Sequence, residues 1–363
     1  LSQPSFTPFP YSLADFGWDE ACEHAFTPHL DAGLIPARVV RAERGLCETV
    51  TDTGPVRAEL PPADPDDPTA APCTGDWVAL RPAAPGRAPV VAAVLERRSA
   101  LVRSTASRTS RGQILAANVD TVVVTVSLAD PLKHGRIERM LALAWESGAR
   151  PVVVLTKADA HADAQAAVTE VSGVAPGVDV LVTSAVTGEG MDTLAAVLDG
   201  TIVLLGPSGA GKSTLGNRLL GEDRLATGAV READGKGRHT TAWREMLPLP
   251  AGGVLLDTPG LRAVGLHEAR DGLEQTFAEI EGLAADCRFA DCAHDVEPGC
   301  AVLAAVEAGD IPRRRLDSYH RLMRENAYAA SRTDARLRAD REAVKKSITQ
   351  HLRATYTFRE RQQ

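Results

Sequence analysis

IVLLGPSGAGKST, from Ile202 to Thr214, opens with four apolar residues, short enough for a strand buried on both faces. Gly206 to Ser213 then fits GxxxxGK[ST], and a helical pattern continues through Leu219 and Leu220. Strand, glycine loop and helix together aim successive backbone N–H groups and a helix N-terminus at phosphate. Gly206, Ser208, Gly209, Ala210, Gly211 and Thr214 are thus candidate phosphate contacts; Lys212 would reach the β/γ-phosphates and Ser213 would ligate Mg²⁺. A structural glycine turn is the competing reading, but a chance match flanked by both a strand and a helix is rare.

At 363 residues the chain is long enough for two or three domains with real cores. It has no run of ~18 apolar residues, and Leu1 to Pro10 lacks the basic and apolar regions of a signal peptide, so a cytoplasmic protein away from membranes is expected. The net charge of −8 does not by itself suggest nucleic acid. Charge is uneven, however: Ile311 to the end holds 14 Lys/Arg against 6 Asp/Glu. That tail reads equally as a contact for phosphate backbone or as a solvated helical face.

Residues 1–34 read as an N-terminal arm with aromatic clusters and a short helical pattern near Trp18 to Phe26. Residues 35–103 hold five β-like segments, Pro36–Ala42, Leu46–Thr51, Val56–Leu60, Asp76–Leu80 and Val90–Leu95, separated by Gly, Pro and Asp turns. Five strands in so few residues suit a small closed barrel of the oligonucleotide-binding type, although any small barrel fits. Arg97 to Arg111 is basic and Ser/Thr-rich, either a phosphate-contacting loop or a linker, and 104–117 is taken as the linker. Over 118–270 strands alternate with helices, which predicts a parallel sheet covered on both faces, with ligands at the carboxyl ends of its strands.

Three further short motifs fall at such strand ends. Thr156-Lys157-Ala158-Asp159 is close to the NKxD that reads guanine, since one carboxylate accepts from both N1–H and the exocyclic amine, a pair that adenine lacks. Thr183-Ser184-Ala185 is the companion loop, and Asp257-Thr-Pro-Gly260 fits DxxG, with the carboxylate acting on Mg²⁺ and the Gly N–H on the γ-phosphate. Their order, base reader before phosphate loop, is that of a circularly permuted GTPase; domain termini often lie close together, so the ends can be joined and the chain opened elsewhere.

Over 271–363, Cys287-x₄-Cys292-x-His294-x₅-Cys300 offers three thiolates and an imidazole, a set suited to one closed, structural Zn²⁺. A disulfide is the rival, but it gives the His no role and does not suit the cytoplasm. Cys22, Cys47 and Cys73 read as scattered thiols. Helices are expected over Ala301–Ala308 and Arg313–Ala330, with a basic tail beyond.

The motif order, Gly75-Asp-Trp-Val78 in the barrel, Asn118-Val-Asp120 opening the first GTPase strand and the zinc pattern together resemble the RsgA (YjeQ) family of ribosome small-subunit-dependent GTPases, over about Leu34 to Glu325. The resemblance implies a multidomain α/β protein: an RNA-contacting barrel, a circularly permuted P-loop GTPase domain and a helical zinc-binding domain. It also implies hydrolysis of GTP to GDP during late small-subunit maturation, stimulated by that subunit and its rRNA. A monomer is expected.

Gly237-Arg-His239-Thr240-Thr241 is similar to the family's GRHTT, in which a Thr supplies a Mg²⁺ ligand, Thr240 being the first choice and Thr241 the alternative. Leu261 stands where many GTPases carry a water-orienting Gln, so unaided hydrolysis should be slow. His239 is the best local substitute; a histidine on an exposed loop is the plainer reading. An rRNA-binding assembly scaffold with incidental turnover is the alternative function, and a metabolic P-loop kinase would leave TKAD, TSA and the zinc pattern without purpose.

Overall fold

The computed structural model describes residues 11–62, 67, 69–84, 86–103, 113–226, 245–257 and 269–333. Helix α1, Glu20–Leu30, starts where the Asp19 carboxylate accepts the Cys22 N–H at 2.9 Å. It packs beside a closed barrel of β1 (Ile35–Ala42), β2 (Leu46–Thr51), β3 (Gly54–Glu59), β4 (Trp77–Arg81) and β5 (Val90–Val94), ordered β1-β2-β3-β5-β4. Alternate residues turn inward, and several are small (Ala37, Cys47, Ala58), as so narrow a barrel requires. The arm is tied on by Trp18, whose ring meets Trp77 edge to face at 5.0 Å.

Between barrel and sheet lies a hairpin of β6 (Ala100–Arg103) and β7 (Gln113–Ala117), so the stretch read as a linker contributes a strand. The Gly75–Val78 and Asn118–Asp120 motifs meet here. Gly75 has φ +96°, and a Cβ on it would run into the Ala117 carbonyl. Asn118 donates to the Gly75 carbonyl at 3.0 Å and accepts the Arg98 N–H at 2.9 Å. Asp76, fully buried, holds Arg97 through two 2.7 Å bonds, and Asp120 accepts the Thr201 N–H at 2.6 Å. Arg38 crosses the same junction, stacked 4.4 Å over Trp77 and donating to the Asn118 carbonyl and Thr201 Oγ1. These motifs join the barrel to the strand that leads into the phosphate loop.

The sheet that follows contains β8 (Thr121–Ser127), β9 (Arg150–Thr156), β10 (Asp179–Val182), β11 (Thr201–Leu205), β12 (Glu245–Pro248) and β13 (Val254–Asp257), in the order β10-β9-β8-β11-β13-β12. All neighbours are parallel except β12, an antiparallel edge strand beyond the expected series. Because side chains alternate, Val122, Val124, Val153, Val203 and Leu256 share one core with α2 (His134–Glu146) and α3 (Ala164–Ser172). Val123, Val152, Ile202, Leu204 and Leu255 share the other with α4 (Met191–Val197) and α5 (Lys212–Leu220). Both faces are therefore covered, as the uninterrupted apolar strands require.

The C-terminal part consists of α6 (Arg270–Thr276), α7 (Ala278–Ala284), α8 (Ala301–Ala308) and α9 (Arg313–Thr333). Gly272 lets α6 lie directly on α2: a Cβ there would run into the Ala142 carbonyl. The Glu146 carboxylate accepts the Gly272 N–H at 2.9 Å. Among the described residues no helix is long and apolar enough to cross a membrane.

Candidate functional site

Strand β11 ends in a loop whose base presses on β8, since a Cβ on Gly206 would stand 2.6 Å from the Thr125 carbonyl. Gly209 (φ +81°) and Gly211 (φ +86°) take the left-handed turns that bring the chain into α5, with Lys212 and Ser213 in its first turn and Thr214 exposed behind them. Ser208 is exposed and Ala210 buried. Lys212 Nζ lies over the loop, donating to the Gly206 and Pro207 carbonyls at 2.7 Å each. Its position across the loop mouth is one from which it can swing to an incoming anion.

The other half of the site comes from β9 and β10. Lys157 follows β9 in a left-handed conformation (φ +61°), which turns Asp159 outward into solvent. The Ser184 hydroxyl donates to Asp159 Oδ1 at 2.5 Å, so the base-reading carboxylate and the companion loop form one unit. Two braces that the motifs do not announce, one from a motif residue in an unexpected role, fix this unit to the phosphate loop. Thr156, buried, donates its hydroxyl to the Ala210 carbonyl at 2.7 Å, while Arg218 on α5 donates through Nε to the Ala185 carbonyl at 2.6 Å. Only a hydroxyl at the last residue of β9 could have hinted at the first. The sequence-predicted residues of the phosphate loop, Thr156, Lys157, Asp159, Ser184 and Ala185 thus converge at the carboxyl ends of β11, β9 and β10. Asp257 stands at the end of β13, half-buried and opposite Glu245. His239, Thr240, Thr241, Gly260 and Leu261 lie outside the described residues.

A second cluster sits between α7 and α8. The ligand atoms of Cys287, Cys292, His294 and Cys300 lie within 4.8 Å of one another. Cys287 Sγ is 3.8 Å from Cys300 Sγ and 3.6 Å from His294 Nδ1, which is 3.3 Å from Cys300 Sγ. A tetrahedral ion with metal–sulfur bonds of ~2.3 Å needs edges of about 3.8 Å, so the four side chains fit a metal ion. His294 (φ +58°) reaches inward from a left-handed turn, and desolvation holds its imidazole below the usual value, in the neutral form that ligates. Desolvation and the neighbouring Cys300 and Cys287 thiols raise Cys292 to about 11, a pressure that a cation would reverse. Cys300 also caps α8, accepting the Leu303 N–H at 3.4 Å. The loop is closed by Glu297, whose carboxylate accepts the N–H groups of Ala293, Asp295 and Val296 and is held at about 2 by them.

A phosphate loop at the centre of the sheet, with a guanine-type loop from strands that precede it in the chain, defines a circularly permuted P-loop GTPase fold. Known structures agree: YjeQ from Thermotoga maritima matches with TM-score 0.60 at 26% identity, over 80% of this chain and 98% of that one. YloQ, described as a circularly permuted GTPase, shares the fold with TM-score 0.57 at 24% identity, over 80% and 94%. A family model described as RsgA GTPase matches residues 94–267. The Small ribosomal subunit biogenesis GTPase RsgA of Streptomyces avermitilis is 58% identical over 93% of this chain and 91% of its own, and that of Opitutus terrae 43% identical over 92% and 95%. The chain belongs to the RsgA GTPase family.

Proposed function

We propose that this protein binds GTP and GDP, docks on the small ribosomal subunit and its rRNA, and hydrolyses GTP to GDP and phosphate during late maturation of that subunit, in the cytoplasm and as a monomer. The observation that carries the reading is the pairing of the phosphate loop with the Asp159–Ser184 unit through the Thr156 hydroxyl. That pairing suits a guanine nucleotide, and the relatives' name supplies the partner.

In this reading, the backbone of 206–211 and Lys212 bind the phosphates, Asp159 selects guanine, and Ser184 and Ala185 shape the base pocket. Ser213, Asp257 and Thr240, with Thr241 as alternative, would hold Mg²⁺, which neutralises charge on the β- and γ-oxygens. Gly260 contacts the γ-phosphate and His239 orients water. Cys287, Cys292, His294 and Cys300 hold one structural Zn²⁺. The working division is an arm over 1–34, an RNA-binding barrel over 35–103, a linker over 104–117, the GTPase domain over 118–270 and the zinc domain over 271–363.

The test is GTP turnover with and without small subunits, using ATP and large subunits as controls. A rise specific to GTP and small subunits is expected. Tight GTP binding with no rise would favour the scaffold reading, in which His239→Ala leaves cellular function intact.

A further inference from the structure

The stretch Arg315-Leu-Asp-Ser318-Tyr319 on α9 takes no part in the nucleotide site. Asp317 is exposed and pairs with Arg313 at the surface, but Arg315, Ser318 and Tyr319 act inside the fold. Arg315, 2% exposed, donates through Nη1 to Glu138 Oε1 at 2.9 Å and to the Val174 carbonyl, through Nε to Glu279 at 2.6 Å, and through Nη2 to the Thr276 carbonyl at 2.6 Å. Its guanidinium lies 4.3 Å over the Phe277 ring. Ser318 donates to the second oxygen of Glu138, and Tyr319 to Glu281 at 2.8 Å. Glu138, on α2, is fully buried. One carboxylate of the GTPase domain is thus gripped by Arg315 and Ser318, a turn apart on α9, with the Arg314 guanidinium 3.6 Å from Oε1, and Arg139 pairs with Glu325 at 2.6 Å further along the same contact.

The first turn of α2, just before Glu138, adjoins the phosphate loop. Lys133, Arg136 and Ile137, at the start of the helix, share a cavity of about 240 Å³ with Pro207, Ser208 and Ala210. Glu138 follows Lys133 by five residues, roughly 7.5 Å along a helix axis. So short a helical segment moves as a rigid body. A shift of its first turn against the phosphate loop must either strip the donors from a buried carboxylate, which is strongly unfavourable, or carry α9 with it. Ala269, just before α6, is tied to α9 as well, its N–H donating to Asn326 Oδ1 at 2.9 Å.

We infer that the Glu138–Arg315–Ser318 contact couples the phosphate loop to the C-terminal helix, so that the nucleotide state sets the position of α9 and docking at α9 acts back on the phosphate loop. Coupling of this kind is reciprocal. Its extension to the small subunit rests on the function proposed above.

The first measurement needs no ribosome: amide hydrogen exchange across α9 in the full chain, with a non-hydrolysable GTP analogue or with GDP. The wild type should differ between nucleotides about fivefold or more in α9 exchange, and Ser318→Ala and Glu138→Gln should lose that difference while still binding both nucleotides. Leu322→Val, which weakens packing on α9 without touching the carboxylate, should keep it. No difference in the wild type, or an undiminished one in both folded variants, overturns the coupling. The second measurement is turnover with saturating small subunits, where the two coupling variants should lose about fivefold or more of the stimulation with unstimulated turnover intact. Full stimulation in both variants overturns the transmission to α9. If the wild type is not stimulated while the exchange difference is present and lost in the variants, the coupling stands and the ribosomal function falls.

Discussion

Replacing Thr156 with Val removes one hydroxyl and keeps the shape. Thr156 is 4% exposed and Ala210 1%, so no solvent replaces the 2.7 Å bond to the Ala210 carbonyl. Leaving that acceptor buried and unpaired costs about 1–3 kcal/mol. If the full amount falls on the nucleotide-ready loop, GTP affinity drops roughly 5- to 150-fold, at 1.4 kcal/mol per tenfold. Calorimetric titration with GTP and GDP, beside thermal melts of the free protein, separates lost loop order from lost global stability. Thr156→Asn, whose amide can donate to the same carbonyl, should recover most of the affinity. Wild-type affinity and melting in Thr156→Val would refute the claim that this bridge holds the two halves of the site together.

Three further outcomes are expected. Metal analysis should find one zinc per chain, and Cys292→Ser or a strong chelator should release it and lower the melting temperature, since structural zinc contributes ~10–16 kcal/mol of apparent binding energy; a metal-free preparation that melts unchanged would contradict the assignment. Gly272→Ala should destabilise by about 1–3 kcal/mol in urea despite alanine's better helix propensity, because the added Cβ forces α6 away from α2. Partial burial pushes the Asp19 carboxyl upward, but the Cys22 N–H and the Arg98 guanidinium outweigh it and hold it at about 2. With the folded value depressed, its contribution is complete above the unfolded value near 3.8 and is lost as pH falls from there toward 2. The stability gap between wild type and Asp19→Asn should therefore be wider at pH 6 than near pH 3, read from tryptophan fluorescence during denaturation.

Features with local causes were legible in the sequence. The barrel strands and the α/β alternation follow from hydrophobic periodicity, and the four Cys/His ligands and the phosphate loop follow from spacing. What escaped depends on partners far along the chain. Glu245–Pro248 is only four residues long and ends in proline, and it becomes a strand by pairing with Val254–Asp257. Gln113–Ala117 needs Ala100–Arg103 opposite it. Gly272, a poor residue for mid-helix, makes sense only against the backbone of α2. Thr156 stands where NKxD carries Asn, and only the fold brings the Ala210 carbonyl to its hydroxyl. Glu138 and Arg315 stand 177 positions apart, and no local pattern announces that an acid on an amphipathic helix will be buried against an arginine.

The strand order also bears on how the chain is made. β11 sits between β8 and β13, yet β8 is synthesised before the whole of β9, α3, β10 and α4. At ~5–20 residues per second, the interval from Ser127 to Thr201 lasts roughly 4–15 s, during which the central edge of β8 emerges with no strand beside it. An unpaired, uncharged, valine-rich edge is a template for another chain. The base-reading half of this sheet is therefore the nascent segment most exposed to misassembly, and the arrival of the phosphate-loop strand both creates the site and closes that edge.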